Sequence, residues 1–108
     1  MIREVLYYQL SNGRQPFTEW LLSFTDKRVQ ARILARLDRV RSGSFGDTKL
    51  VDTGIWELRF HFGSGHRVYF GLDGQVFVIL LCGGDKSTQD SDIQCACAYW
   101  TDYMRRKI

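Results

Sequence analysis

The stretch IWELRFHFGSGHRVYF, residues 55–70, carries the pattern that decides the fold. Over 55–62 polar and apolar residues alternate. Trp56, Leu58, Phe60 and Phe62 fall on one side, and Ile55, Glu57, Arg59 and His61 on the other. A period of two is the mark of a half-buried strand. Gly63-Ser64-Gly65 interrupts it and HRVYF (66–70) resumes it, so the segment reads as a β-hairpin. A three-residue loop with Gly65 in the left-handed region sets Phe62 against His66, His61 against Arg67 and Arg59 against Tyr69. Leu58 and Phe60 then share the core face with Val68 and Phe70. A two-residue loop mixes the faces, so the hydrophobic pattern selects the first register.

Toward the C-terminus, an LDG turn leads into QVFVILLC (75–82), apolar on both faces and therefore expected to be an interior strand covered on both sides. LLCGGDKSTQD (80–90) breaks that strand with Gly83-Gly84 and delivers Lys86 close to one end of the hairpin. Ser87 or Thr88 suits the cap of a last helix with Ile93, Cys97, Trp100 and Met104 turned inward, and Arg105, Arg106 and Lys107 at its end.

Toward the N-terminus, residues 2–10 are rich in Val, Ile and Tyr and precede Asn12-Gly13, which gives a first strand and a turn. Pro16 fits a first helical position, with Phe17, Trp20, Leu21 and Phe24 at helical spacing. Asp26 caps a longer helix whose apolar stripe is Val29, Ile33, Leu37 and Val40, and Gly43 ends it. Residues 42–54 read as a loop by composition, with Phe45 and Leu50 tucked onto the core. The expected order is β-α-α-β-β-β-α, an α+β fold with four strands in one domain (1–108).

A 108-residue chain with 44% hydrophobic residues suffices for one modest core. No run approaches the roughly 18 apolar residues of a membrane span, and MIREVLYYQL lacks the pattern of a signal peptide. Cys95 and Cys97 lie two apart on what reads as a helix, without zinc-knuckle spacing. Reduced thiols in a cytoplasmic protein, with neither metal nor cofactor, are expected.

The polar side of the hairpin gathers Arg59, His61, Arg67 and Tyr69, and Lys86 joins them. Adjacent arginines on paired strands repel, so an anion or an acidic side chain must offset them. One reading is a solvated face in which Glu57 pairs across to a basic residue. The other is a phosphate cradle: Arg59 and Arg67 clamp a phosphodiester, Lys86 adds a point charge, His61 moves a proton, and Tyr69 stacks a base or hydrogen-bonds. His66, beside the turn, is expected to be exposed. Along the second helix Arg28, Arg32, Arg36 and Arg39 recur at helical spacing. That row is either a solvated face or a footprint for RNA or an acidic protein partner.

Residues 31–93, and above all ELRFHFGSGHRVYF, the apolar strand and LLCGGDKSTQD, resemble the RelE/ParE superfamily of toxins from type II toxin–antitoxin modules. The resemblance is strongest to the phage Gp49-like, HigB-like or "addiction module killer" branch. It implies a RelE-like fold, a curved, mainly antiparallel four-stranded sheet packed on an N-terminal helical pair plus a C-terminal helix, and an mRNA endoribonuclease that inhibits translation, working at the ribosome without metal by attack of a ribose 2′-OH on the adjacent phosphate. It also implies a cognate antitoxin, a helix-turn-helix protein encoded next door, which the arginine row would help to bind. By position Arg67 matches the arginine assigned to transition-state charge, Arg59 falls where RelE has a lysine, and Lys86 near its later arginine. Glu57 replaces a second lysine, and Asp90 or Asp92 stands near the place of a tyrosine. Those departures leave the general acid and base open between His61 and the aspartates. Two other classes fit the same resemblance: a ParE-like inhibitor of DNA gyrase with no catalysis, and an inactive relic that only binds an antitoxin.

Overall fold

The structure, a computed structural model, describes residues 2–107. Its elements are β1 (Glu4–Tyr7), α1 (Pro16–Leu22), α2 (Lys27–Arg41), β2 (Thr48–Asp52), β3 (Ile55–Arg59), β4 (Arg67–Asp73), β5 (Phe77–Gly84), a 3₁₀ turn (Lys86–Thr88) and α3 (Gln89–Arg106). The strands form one sheet in the order β1-β5-β4-β3-β2. β1 runs parallel to β5, and the other pairs are antiparallel. The α+β class holds, but the sheet has five strands and is mixed, where four strands were expected.

The extra strand is β2, inside the segment read as a loop. Thr48, Lys49 and Leu50 pair with Leu58, Glu57 and Trp56, between turns at Gly46 and Gly54 that both have positive φ. A short edge strand bearing an outward lysine is a protected edge, and it leaves little hydrophobic signal. Phe45 packs on the core as expected, whereas Leu50 is 52% exposed.

Pro16 opens α1, and the Asp26 side chain caps α2 by accepting from the Arg28 backbone N–H. These helices lay Phe17, Leu21, Ile33, Leu37 and Val40 on one face of the sheet, against Leu58, Phe60, Val68, Phe70, Val78 and Leu80. Each such side chain stabilises the fold by roughly 1.5–3 kcal/mol on full burial. The opposite face, with Ile55, Tyr69, Ile79 and Leu81, is covered by α3 through Ala96, Ile93, Cys97, Trp100 and Tyr103. β5 is thus buried on both sides, as its composition predicts. Met104, expected inward, is exposed.

The hairpin keeps the expected faces but not the expected register. Arg59 stands opposite Arg67, Leu58 opposite Val68 and Glu57 opposite Tyr69. The Phe60 N–H donates to the His66 carbonyl (3.0 Å), and Gly63 and Gly65 take positive φ in the longer loop between. The shift is two residues, which preserves parity. Its cause is His66: the ring is 7% exposed and packs edge-on against Trp20, Phe24 and Phe62, where exposure was expected. With that ring seated, Phe60, and not Phe62, stands opposite His66 at the end of the ladder.

Candidate functional site

On the α3 side of the sheet, β3 contributes Glu57 and Arg59, and β4 contributes Arg67 and Tyr69. Glu57 is wholly buried. It accepts hydrogen bonds from Arg59 Nε (2.9 Å), Tyr69 Oη (3.1 Å) and Gln89 Nε2 (2.6 Å). Burial pushes its pKa up, but those hydrogen bonds, with the Arg67 charge, outweigh burial and leave it below the ordinary carboxylate value. The repulsion between the facing arginines is therefore offset from within the fold, by the Glu57 carboxylate.

Arg67 stands differently. The residue is 7% exposed, its Nε is buried 3.7 Å from Glu57 Oε1, and that Nε makes no hydrogen bond among the described residues. Buried charged groups are normally paired and hydrogen-bonded, and a guanidinium has five N–H donors to satisfy. The sheet holds this one in place with its Nε unpaired among the described residues.

Gly84 is the register partner of Arg67. The Asp92 carboxylate fills the space a side chain at Gly84 would need, and accepts from Thr88 Oγ1 at 2.5 Å. Burial pushes the Asp92 carboxyl up; the Thr88 hydrogen bond opposes this and the Asp85 charge adds to it. Asp90, in the first turn of α3, is exposed. Lys86 lies with its aliphatic stem over Gly65 and lines a cavity of about 390 Å³ together with His61, Phe62 and Ser64. His61 is exposed, and its Nε2 sits 2.5 Å from Asp47 Oδ2. The His61 hydrogen bond holds the Asp47 carboxyl below its ordinary value; desolvation opposes it, and the charges of His61, Arg59 and Arg36 add to it. The Asp-Lys pair after Gly84 divides its work: Asp85 caps the 3₁₀ turn by accepting from the Ser87 N–H at 2.9 Å, while Lys86 stays exposed, and Thr88 takes the expected N-cap position of α3 without a side-chain capping bond.

Residues 19–96 match the model of the phage-derived Gp49-like proteins (DUF891), a span that includes every side chain of this face. The chain belongs to that family. A relative from Haemophilus influenzae, described only as an uncharacterized protein, is 52% identical over 80 residues, which cover 74% of this chain and 81% of its own.

Two residues proposed from sequence have other places in this Gp49-like chain. Tyr69 is fully enclosed and its hydroxyl is given to Glu57, so its ring is not open to a base. Arg36 is buried in the midst of the arginine row. It donates to the carbonyls of Phe45 (3.0 Å), Arg59 (2.7 Å) and Asp47 (3.1 Å), clamping the chain on either side of the His61–Asp47 contact. The other three are exposed: Arg28 pairs with Asp26, Arg32 lies over the Phe62 ring at 3.9 Å, and Arg39 faces solvent. Asp47 and Gln89 belong to the polar face without having stood out in the sequence. Asp47 lies in the segment read as loop, and Gln89 in a polar helix start where neighbouring aspartates drew attention. Among the described residues no helix is long and apolar enough to cross a membrane, and no group of three or more His, Cys, Asp or Glu could hold a metal ion.

Proposed function

We propose that this Gp49-like protein is the toxin of a type II toxin–antitoxin module and acts as a RelE-type endoribonuclease on mRNA at the ribosome. The observation that carries the reading is Arg67, an almost buried guanidinium whose Nε has no hydrogen-bond partner among the described residues. A phosphodiester oxygen is the ligand such a donor set fits, and Arg59 on the facing strand adds a second cation. The negative charge that grows on phosphorus during transfer falls on these donors, so they lower the barrier more than they tighten ground-state binding.

The reaction needs a base at the ribose 2′-hydroxyl and an acid at the leaving oxygen. His61, oriented by Asp47, takes the 2′-OH proton. The 2′-oxygen attacks phosphorus and the P–O5′ bond breaks. Lys86, across the same cavity, returns a proton to the 5′-oxygen. The products are a 2′,3′-cyclic phosphate and a 5′-hydroxyl. Asp90, exposed in the first turn of α3, and Asp92, tied to Thr88, are the alternative carriers of that proton. A cognate antitoxin restrains the protein, with Arg28, Arg32 and Arg39 as part of its contact surface.

The test is expression of the wild type and of Arg67→Ala, followed by primer extension on translated mRNA. Growth arrest with new cut sites bearing 2′,3′-cyclic ends, absent in the variant, is the expected result. Arrest with intact mRNA and a DNA-damage response would instead point to gyrase inhibition, and no arrest to an inactive antitoxin binder.

A further inference from the structure

Among the arginines of α2, most are already engaged: Arg36 under three carbonyls, Arg28 with Asp26 and Arg41 with Asp38. Arg32 is engaged differently. It is exposed and makes no hydrogen bond or ion pair among the described residues, yet its guanidinium carbon lies over the Phe62 ring, 3.9 Å from the centroid. The core holds that ring in turn. Phe62 meets Phe60 at 88° and His66 at 69°, with centroids 6.0 and 5.2 Å away, and packs on the helical side of the sheet. The helix is anchored beside it, since Ile33 is wholly buried in the same cluster.

One face of the Arg32 guanidinium is thus seated on an aromatic ring, and exposure leaves the other face open. A diffuse surface charge has no use for a fixed plane, and fixing a long side chain costs rotamer entropy. A flat ligand does use it. Phe62 also lines the cavity of about 390 Å³ that holds His61 and Lys86. Successive residues of an extended chain point to opposite sides, so His61 and Phe62 do not serve one nucleotide. Arg32 stands beside that cavity and not in it.

We propose that Arg32, seated on Phe62, is a stacking platform for an unpaired base of single-stranded RNA, adjoining the nucleotide whose 2′-hydroxyl His61 serves. The inference rests on the reading of this protein as a ribonuclease. Bases stack on arginine planes as on aromatic rings, with little regard to sequence, and the cation adds attraction. An acidic peptide would meet only the N–H edges of the guanidinium and gain nothing from the seated plane. Arg32 also belongs to the antitoxin surface proposed above, so a segment bound there covers the platform.

The test is an NMR titration of the isotopically labelled protein with 2′-O-methyl penta-adenylate, which lacks the attacking hydroxyl and is not cut. The other probes are the same oligomer with an abasic site at each position in turn, inorganic phosphate and a hexaglutamate peptide. A stacked base should move the Arg32 Nε proton upfield by its ring current. Removing the base at one position should abolish that shift and weaken binding about tenfold. Arg32→Lys keeps the charge and loses the plane, so it should bind the intact oligomer and that abasic one equally. A downfield shift shared by intact oligomer, abasic oligomers and phosphate means an edge contact to phosphate and overturns the platform. An abasic penalty that persists in Arg32→Lys overturns it too, as does tighter binding of hexaglutamate at Arg32. Primer extension on translated mRNA judges the underlying reading separately. If mRNA is cut and the Arg32 signature is absent, the platform alone falls. If the signature is present and mRNA stays intact, the ribonuclease reading falls and an RNA-binding platform remains.

Discussion

Arg67 Nε stops 3.7 Å short of Glu57 Oε1, while Arg59 on the facing strand reaches the same oxygen at 2.9 Å. Two arginines share one buried carboxylate, and only one of them is hydrogen-bonded to it. The asymmetry separates a residue that the fold uses from a residue that the fold merely holds.

Arg67→Ala is therefore expected to change activity and stability in different degrees. Glu57 keeps Arg59, Tyr69 and Gln89 as donors, so the variant should unfold in urea within about 1 kcal/mol of wild type. Loss of a transition-state donor should lower the cleavage rate by about 10²–10³. A large loss of stability together with activity would assign Arg67 to the fold.

Glu57 gives the converse prediction. Removing one partner of a buried ionic cluster leaves uncompensated charge, and Glu57→Ala should cost about 3–5 kcal/mol in a denaturant titration. The pH dependence has a definite sign. The folded-state pKa lies below the ordinary 4.5, so the contribution is complete above that value and is lost as pH falls below it through the folded pKa. Wild-type stability should fall over this acid range, and Glu57→Gln should flatten the slope there. An equal slope in both proteins would remove Glu57 from the acid transition.

Parts of this arrangement were legible in the sequence because alternation fixes which face a strand residue takes. Glu57, Arg59, Arg67 and Tyr69 do share a face. Alternation does not fix register, and a two-residue shift costs nothing in pattern. The shift depends on the cage that Trp20 and Phe24 of the α1 region build around His66, a contact between distant parts of the chain. Nor does a strand show what will cover it, so the enclosure of Tyr69 under α3 was not readable. Arg36 was readable in principle. It lies three residues after Ile33 and four before Val40, within the apolar stripe itself, and grouping it with the exposed arginines overlooked that phase.

Arg36→Ala should consequently destabilise the protein, by about 2–4 kcal/mol, since it strands the carbonyls of Phe45, Asp47 and Arg59. Charge reversal of Arg28, Arg32 and Arg39 should leave the urea midpoint nearly unchanged, because these three are exposed. The triple variant should associate more slowly with the antitoxin and with a weaker salt dependence, as rim charges act mainly on encounter. Identical association rates at two ionic strengths would make the row an ordinary solvated surface.

The His61–Asp47 contact yields the sharpest test of the proton's route. His61→Ala should lower the single-turnover cleavage rate by about 10²–10⁴, the usual span for a general base. Asp47→Asn retains a side chain of the same shape but removes the anion on which the imidazole rests, so a smaller loss is expected. Because Asp47 acts through His61, the double variant should be no slower than His61→Ala alone; independent roles would multiply the two losses. Both side chains are exposed, and neither substitution should disturb the core. The Arg36 clamp on the Asp47 carbonyl is made by backbone and survives Asp47→Asn, so an altered fold cannot account for the effect. A double variant slower by the product of the single losses would separate Asp47 from His61. A His61→Ala protein that cuts at the wild-type rate would move the proton to Asp90 or Asp92.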